Sequence, residues 1–284
     1  MVNLIKCVNV RFFRAKFLHR FSACLFHLSR VLSMHFKGFS SLSRLLPFFA
    51  SRPKQRTMNF LASAIKNYSS NDVKSKVIFH RNSYYKKYNN YEWDLYLGIY
   101  FRDKKDLTFL EKKLIDLVYG EILDVGCSTG YYIPYLMEKG TTTGIDISDI
   151  IIKFAQGRGY FNCVVGDIFS YKSNHKFNTI TLVGNDIALS GTLHGLKKML
   201  KKFKALLEDN GQVLMIMRQV HTLRYRHVVY TPEYDGRFGI PIKCLFLNVN
   251  YFTKFCEKQG FTATIIDKEG KVGNSFYLIK LKKC

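Results

Sequence analysis

Acidic residues are missing from the first quarter of this 284-residue chain; the first is Asp72, and twelve Lys and Arg residues from Lys6 to Lys66 precede it. Over the whole chain 44 basic residues face 21 acidic ones, a formal charge of +23, so about half of the excess lies ahead of Asp72. A surplus of that size suits an anionic partner: nucleic acid, a phosphorylated substrate or an acidic membrane surface. Long apolar runs are also missing, and none reaches the ~18 residues of a helical membrane span. The seven cysteines (Cys7, Cys24, Cys127, Cys163, Cys244, Cys256 and Cys284) include no Cys-x-x-Cys pair. Their odd number and spacing offer neither a zinc framework nor a disulfide scaffold. They read as small apolar fillers in a reducing compartment. The expectation is a soluble intracellular protein without a metal, of unknown oligomeric state.

What remains is ample for a core. Apolar residues make up 47% of the chain, enough for one large domain and an appendage. Residues 1 to about 70 are expected outside the fold. On a helical wheel Lys16, Arg20, His27 and Arg30 fall opposite Phe17, Phe21, Cys24, Leu25, Leu28 and Leu32, a basic amphipathic helix. Pro47 and Pro53 are expected to break any regular element after it. An Arg- and Ser-rich, acid-free amphipathic segment reads as a mitochondrial transit peptide if the source is eukaryotic. A membrane-surface helix, a nucleic-acid arm, and a true translation start at Met58 with a cytoplasmic product share that pattern.

Residues 71–105 read as an aromatic cap. Phe79, Tyr84, Tyr85, Tyr88, Tyr91, Trp93, Tyr96, Tyr100 and Phe101 alternate with Arg81, Lys86 and Lys87. They can pack the segment onto the next domain or stack on a planar substrate. From residue 106 onward β and α patterns alternate. A helix carries Leu107, Leu110, Leu114 and Leu117 on one face. A strand over 121–125 runs into Gly126 and Gly130. A helix over 131–138, with Pro134 in its first turn, ends at Gly140. Further strands are expected at 142–147, 163–165, 178–183 and 212–217. A helix capped by Ser148 and another over 193–207 lie between them. Repeated β-then-α units make a doubly wound parallel sheet. Lys197, Lys198, Lys201, Lys202 and Lys204 form the outer face of the last helix, either a solvated face or an RNA contact.

Ligands of such sheets bind at the carboxyl ends of the strands, and the conspicuous residues lie there. Gly126 and Gly130 bracket a turn that a ligand can approach closely. Asp146 can accept two hydrogen bonds from ribose hydroxyls, and Asp167 one from an exocyclic amine. The run Ile122 to Gly130, the run Gly144 to Ser148, the run Val165 to Ile168 and the run Leu182 to Asn185 together resemble the motifs of class I S-adenosylmethionine-dependent methyltransferases. The resemblance covers about residues 106–217 and extends through a helix near 249–258 and a final hairpin. It implies a Rossmann-like sheet of seven strands, mostly parallel with an antiparallel last strand, and S-adenosyl-L-methionine as cofactor. It also implies cofactor roles for Asp124, Gly126, Cys127, Ser128, Gly130, Asp146, Ile147, Asp167, Ile168, Gly184 and Asn185. Ser128 departs from the glycine that many members carry there.

The acceptor side is less defined. No Asn-Pro-Pro-Tyr or Asp-Pro-Pro-Tyr follows the fourth strand, as in similar adenine and amine methylases, and no cysteine pair marks a pyrimidine C5 enzyme. The run Gly184 to Asp186 resembles uncharacterised bacterial and archaeal members thought to act on small molecules. The insertion 218–247 is expected as a flap over the mouth, with Arg224, Tyr225 and Arg237, and Tyr96 from the cap, as substrate contacts. Asp186, His221 and His227 are candidate bases. Methyl transfer to an O, N or C nucleophile of a small molecule is the first reading. RNA methylation and non-catalytic cofactor binding are the others.

Overall fold

The structure is a computed structural model; it describes residues 53–70, 77–82, 91–220, 224–271 and 274–284. The basic amphipathic helix expected near residues 15–32 lies outside them. In chain order the elements are α1 (Pro53–Ser69), β1 (Val77–Asn82), β2 (Tyr91–Leu95), α2 (Phe109–Leu117), β3 (Ile122–Val125), α3 (Ile133–Met137), β4 (Thr142–Asp146), α4 (Asp149–Gly157), β5 (Cys163–Val165) and β6 (Phe177–Leu182). They continue with α5 (Leu193–Leu206), β7 (Leu207–Arg218), β8 (Tyr225–Tyr234), β9 (Arg237–Phe238), β10 (Ile242–Leu247), α6 (Val249–Glu257), β11 (Phe261–Lys271) and β12 (Asn274–Lys283).

Seven strands form the main sheet in the order β11-β12-β7-β6-β3-β4-β5. The pairs from β7 to β5 are parallel, and β12 runs antiparallel to β7. This is the doubly wound sheet with one reversed strand that the sequence predicts. β3 is buried at every position, as a central parallel strand must be. Its register places Asp124 beside Thr181 of β6 and Gly144 of β4, which brings polar groups to one end of an apolar sheet. On one face Phe203 of α5 and Phe252 of α6 are fully buried with Phe177 and Phe261. α3 is shorter than the expected 131–138.

The first correction concerns α1. Residues 53–69 belong to the fold, against the expectation that everything before about 70 stands apart. Pro53 does not break a helix here but opens one, where its fixed φ is already helical and its missing N–H has no partner to lose. Leu61, Ala62, Ala64 and Ile65 are buried against Ile151, Ile152 and Ala155 of α4. Asn59 completes the contact: its amide donates to Asp149 at 2.8 Å and accepts from the Ser148 hydroxyl at 2.7 Å. Met58 therefore lies inside a packed helix.

The second correction concerns the cap and the flap, which are one structure. β1 lies between β2 and β8, and β8 also pairs with β10, giving a second, antiparallel sheet from segments 150 positions apart. His80 bridges the strands, with Nδ1 at 2.9 Å from Glu92 and Nε2 at 2.5 Å from Glu233. Phe79 packs edge-on to Tyr230. Of the two readings of the aromatic segment, packing is what Phe79 does.

A buried ion pair joins the turn after β2 to α2. Arg102 donates to both oxygens of Glu111, at 2.7 and 3.1 Å, and the Tyr132 hydroxyl donates to the same carboxylate. Glu111 also caps α2 by accepting from the Thr108 backbone at 2.7 Å. Glu111→Gln keeps the volume but removes the charge that balances Arg102. Charge-assisted hydrogen bonds of this kind contribute about 1.5–3 kcal/mol. The variant is expected to melt roughly 4–8 °C below the parent at the scale of a domain this size, and equal melting temperatures would show the pair to be solvated.

Candidate functional site

The carboxyl ends of β3, β4 and β6 open into a cavity of about 550 Å³. Its floor is the turn after β3. Gly126, at φ +82°, turns the chain where an L side chain is strained, and a Cβ there would sit 3.0 Å from Asp186 Oδ2. Ser128 follows in the left-handed region at φ 50°. That geometry accounts for the glycine common at this place in similar sequences, since serine adopts it only against steric resistance.

Three carboxylates face this floor. Asp124 is buried and accepts from Thr181 Oγ1 at 2.7 Å. Burial pushes its carboxyl up to about 6, the Thr181 bond opposing and Asp146 adding to the rise. Asp146 ends β4 and accepts from the backbone N–H of Ser148 at 2.9 Å and of Ser128 at 3.2 Å. Burial pushes it, too, up to about 6, against those two bonds. Asp186 opens the short 3-10 turn Asp186–Ser190 and is held well above the usual carboxylate range, first by burial, then by Asp124 and Asp146. The Tyr100 hydroxyl is pushed up by burial and by Asp186, so it stays a donor at neutral pH. Asp167 lies further along the wall, its Oδ1 accepting from Phe169 N at 3.0 Å.

Of the sequence-predicted cofactor residues, Asp124, Gly126, Ser128, Asp146, Ile147, Asp167, Ile168 and Gly184 line the cavity. Cys127, Gly130 and Asn185 do not. Cys127 turns inward, packed against Gly144 and Cys163 behind the loop. Gly130 lies under the Tyr160 ring. Asn185, at φ 70°, uses its Oδ1 to accept from the backbone of Arg218 at 2.9 Å. Among the proposed bases, Asp186 lines the cavity; His227 is held to the Gly191 carbonyl at 3.2 Å outside it, and His221 lies outside the described residues. Tyr96, Arg224, Tyr225 and Arg237 are exposed and none lines the cavity. Tyr96 lies 6.5 Å from the Tyr68 ring, and Tyr225 packs between His227 and Tyr251.

The wall that the sequence did not predict comes from elsewhere. Met58, Leu61, Ala62 and Ile65 of α1, Tyr100 and Arg102 after β2, Ser190 to Thr192, and Pro241 to Lys243 complete the lining. Only a helical stripe at 58, 61, 62 and 65 was available to signal α1.

Residues 122–211 match the family described as "Methyltransferase domain". No curated protein matches the sequence. Among solved structures, an S-adenosylmethionine-dependent methyltransferase from Bacteroides fragilis, crystallised with S-adenosyl-L-homocysteine, superposes with a TM-score of 0.69 at 23% identity. The match covers 82% of this chain and 97% of that one. The protein DhpI, solved as its complex with SAH, superposes with a TM-score of 0.50 at 18% identity over 61% of this chain and 81% of that one. Both likenesses are of fold. No helix among the described residues is long and apolar enough to cross a membrane.

Proposed function

We propose that this chain is a class I S-adenosylmethionine-dependent methyltransferase, a reading supported by the methyltransferase-domain match over residues 122–211 and by the shared fold, and that it methylates a small molecule taken into the cavity beside the cofactor. The observation that carries this reading is the enclosure itself. The cavity's volume lies within the ~300–1,000 Å³ of small-molecule sites, and α1 and β10 contribute to its wall. A polyanionic acceptor would bring its phosphates against Asp124, Asp146, Asp167 and Asp186.

The residues present fit the cofactor. Gly126 provides a backbone surface that a Cβ would fill. Asp146 accepts from the backbone N–H groups of Ser128 and Ser148 at the end of β4, where its carboxylate would meet the ribose hydroxyls. Asp124 and Gly184 would lie at the methionine end, Ile147 and Ile168 against the adenine, and Asp167 at its amino edge. When bound, S-adenosylmethionine supplies an electrophilic methyl group on a sulfonium. The chain's own part is to orient the acceptor in line and exclude water, work that positioning alone can perform.

Incubating residues 51–284 with tritium-labelled cofactor and cell extract, then separating the extract by size, tests the proposal. Label is expected in the low-molecular-mass pool. Label in RNA, with binding that falls steeply with salt through counterion release, would replace it with the nucleic-acid reading through the exposed lysines of α5. Calorimetric binding of the cofactor without transfer to any pool would make the protein a binder instead of an enzyme acting on small molecules.

A further inference from the structure

Granted this methyl-transfer function, we infer that the acceptor is an amine, and that Asp186 is the group that recognises its positive charge and receives its proton. The protein as a whole is strongly basic, yet this cavity is acidic. Asp124, Asp146, Asp167 and Asp186 line it, against two cations, Arg102 and Lys243. Arg102 is committed to Glu111, and Lys243 is exposed at the rim.

The four acids are not equivalent. Asp124, Asp146 and Asp167 each accept a hydrogen bond from the protein, at 2.7 Å from Thr181, at 2.9 and 3.2 Å from two backbone groups, and at 3.0 Å from Phe169 respectively. Among the described residues no donor is bonded to the Asp186 carboxylate. It stands over Gly126 in the cavity lining. Four residues on, Ser190 belongs to the same lining, and its buried hydroxyl has no hydrogen-bond partner. A buried polar atom without a partner costs free energy until something binds it. An unbonded carboxylate in the cavity lining is matched by an ammonium group, which offers up to three N–H donors and a charge.

Acceptors of other classes fit this wall poorly. A phenol or alcohol would have to become an oxyanion beside Asp124, Asp146 and Asp186, and like charges at short range oppose that. A carboxylate or phosphate would arrive already repelled. An ammonium is drawn in. It gives one proton to Asp186, whose raised affinity for protons suits a base. The freed nitrogen lone pair then forms the N–C bond to the methyl carbon while the C–S bond breaks and its electron pair stays on sulfur, leaving a neutral thioether. The product is the N-methylated ammonium, and the proton on Asp186 passes to water when the product leaves.

Two measurements separate this from the reading it rests on. The first needs no turnover. Calorimetry at pH 7.5 compares S-adenosylhomocysteine with sinefungin, its analogue bearing an amino group where the transferred methyl would be. Sinefungin is expected to bind the parent about tenfold or more tighter, the order of one charge-assisted hydrogen bond. In Asp186→Asn the ratio is expected to shrink to within about threefold, with S-adenosylhomocysteine itself little changed; thermal melting confirms that the variant is folded. The second divides cell extract by cation exchange and follows labelled methyl transfer. Label is expected in the retained, cationic pool. Asp186→Asn is expected to lower kcat about a hundredfold at pH 7, a typical size for loss of a positioned base. It should recover part of that near pH 10, where a free amine is populated without help. A ratio unchanged by Asp186→Asn, or label confined to neutral or anionic pools or to none, overturns the amine while cofactor binding stands. Failure of both nucleoside ligands to bind the parent overturns the methyltransferase reading and the amine with it.

Discussion

Asp146→Ala is expected to weaken S-adenosylmethionine binding about a hundredfold. A carboxylate accepting from two ribose hydroxyls contributes about 1.5–3 kcal/mol for each charge-assisted bond, and each 1.4 kcal/mol is a factor of about ten. The same group sets the pH dependence. Only its ionised form accepts from both hydroxyls, and its carboxyl, like that of Asp124, is pushed up to about 6. Affinity is therefore expected to be flat above pH ~7 and to fall as pH drops through about 6. Without ligand the sign for stability is the opposite. A buried acid whose folded value exceeds its unfolded one near 3.8 holds more protons when folded, so stability is lost as pH rises from there through the folded value. Asp186, which no hydrogen bond compensates, should show this most clearly. Asp186→Asn is expected to melt above the parent at pH 7.5 and to lose that advantage near pH 4. An Asp146→Ala protein that binds the cofactor as tightly as the parent would remove the ribose from this strand end.

The cofactor half of the cavity was legible because each of its parts is local. The parallel strands β3, β4, β5 and β6 are short runs closed by glycine or aspartate, so strand end and ligand contact are read from the same few residues: Asp124 to Gly126, Asp146 to Ile147, Asp167 to Ile168. The acceptor half is built from pairings that no local pattern encodes. His80 meets Glu233 across 153 positions, and the strands that carry them read separately as a cap and a flap. Asp186 was named for its place after β6, but its isolation, and that of Ser190, exist only once Gly126 lies beneath the one and β10 packs on the turn that carries the other. Tyr96, Arg224, Tyr225 and Arg237 were chosen for chemistry without geometry, and their strands and turns point them to solvent. Pro53 was read as a breaker because the acid-free charge around it suggested an arm; at the first position of a helix the same residue is a start.

The largest loss is expected from removing α1. A chain beginning at Asn71 loses Leu61 and Ile65 from the contact with α4, uncovers Ile151 and Ile152, and removes both hydrogen bonds of Asn59. Deleting a buried Leu or Ile side chain typically costs about 2–5 kcal/mol, so the sum is expected to reach roughly 5 kcal/mol or more. At about 2–4 °C per kcal/mol for a domain of this size, the melting temperature should fall by at least ~10 °C relative to a chain beginning at Ser51. A chain beginning at Met58 keeps the packed stripe but loses the proline start and the first turn, and is expected in between. Function should fail along with stability. Met58, Leu61, Ala62 and Ile65 wall the cavity on a helix held to Ser148 beside Asp146 and Ile147, so water enters the site and both cofactor binding and labelled methyl transfer should drop. If the chain beginning at Asn71 melted within about 2 °C of the one beginning at Ser51, a shift worth less than ~1 kcal/mol, α1 would be an ornament on the domain. The cavity wall beyond the strand ends would then rest on Tyr100, Arg102 and Pro241 to Lys243.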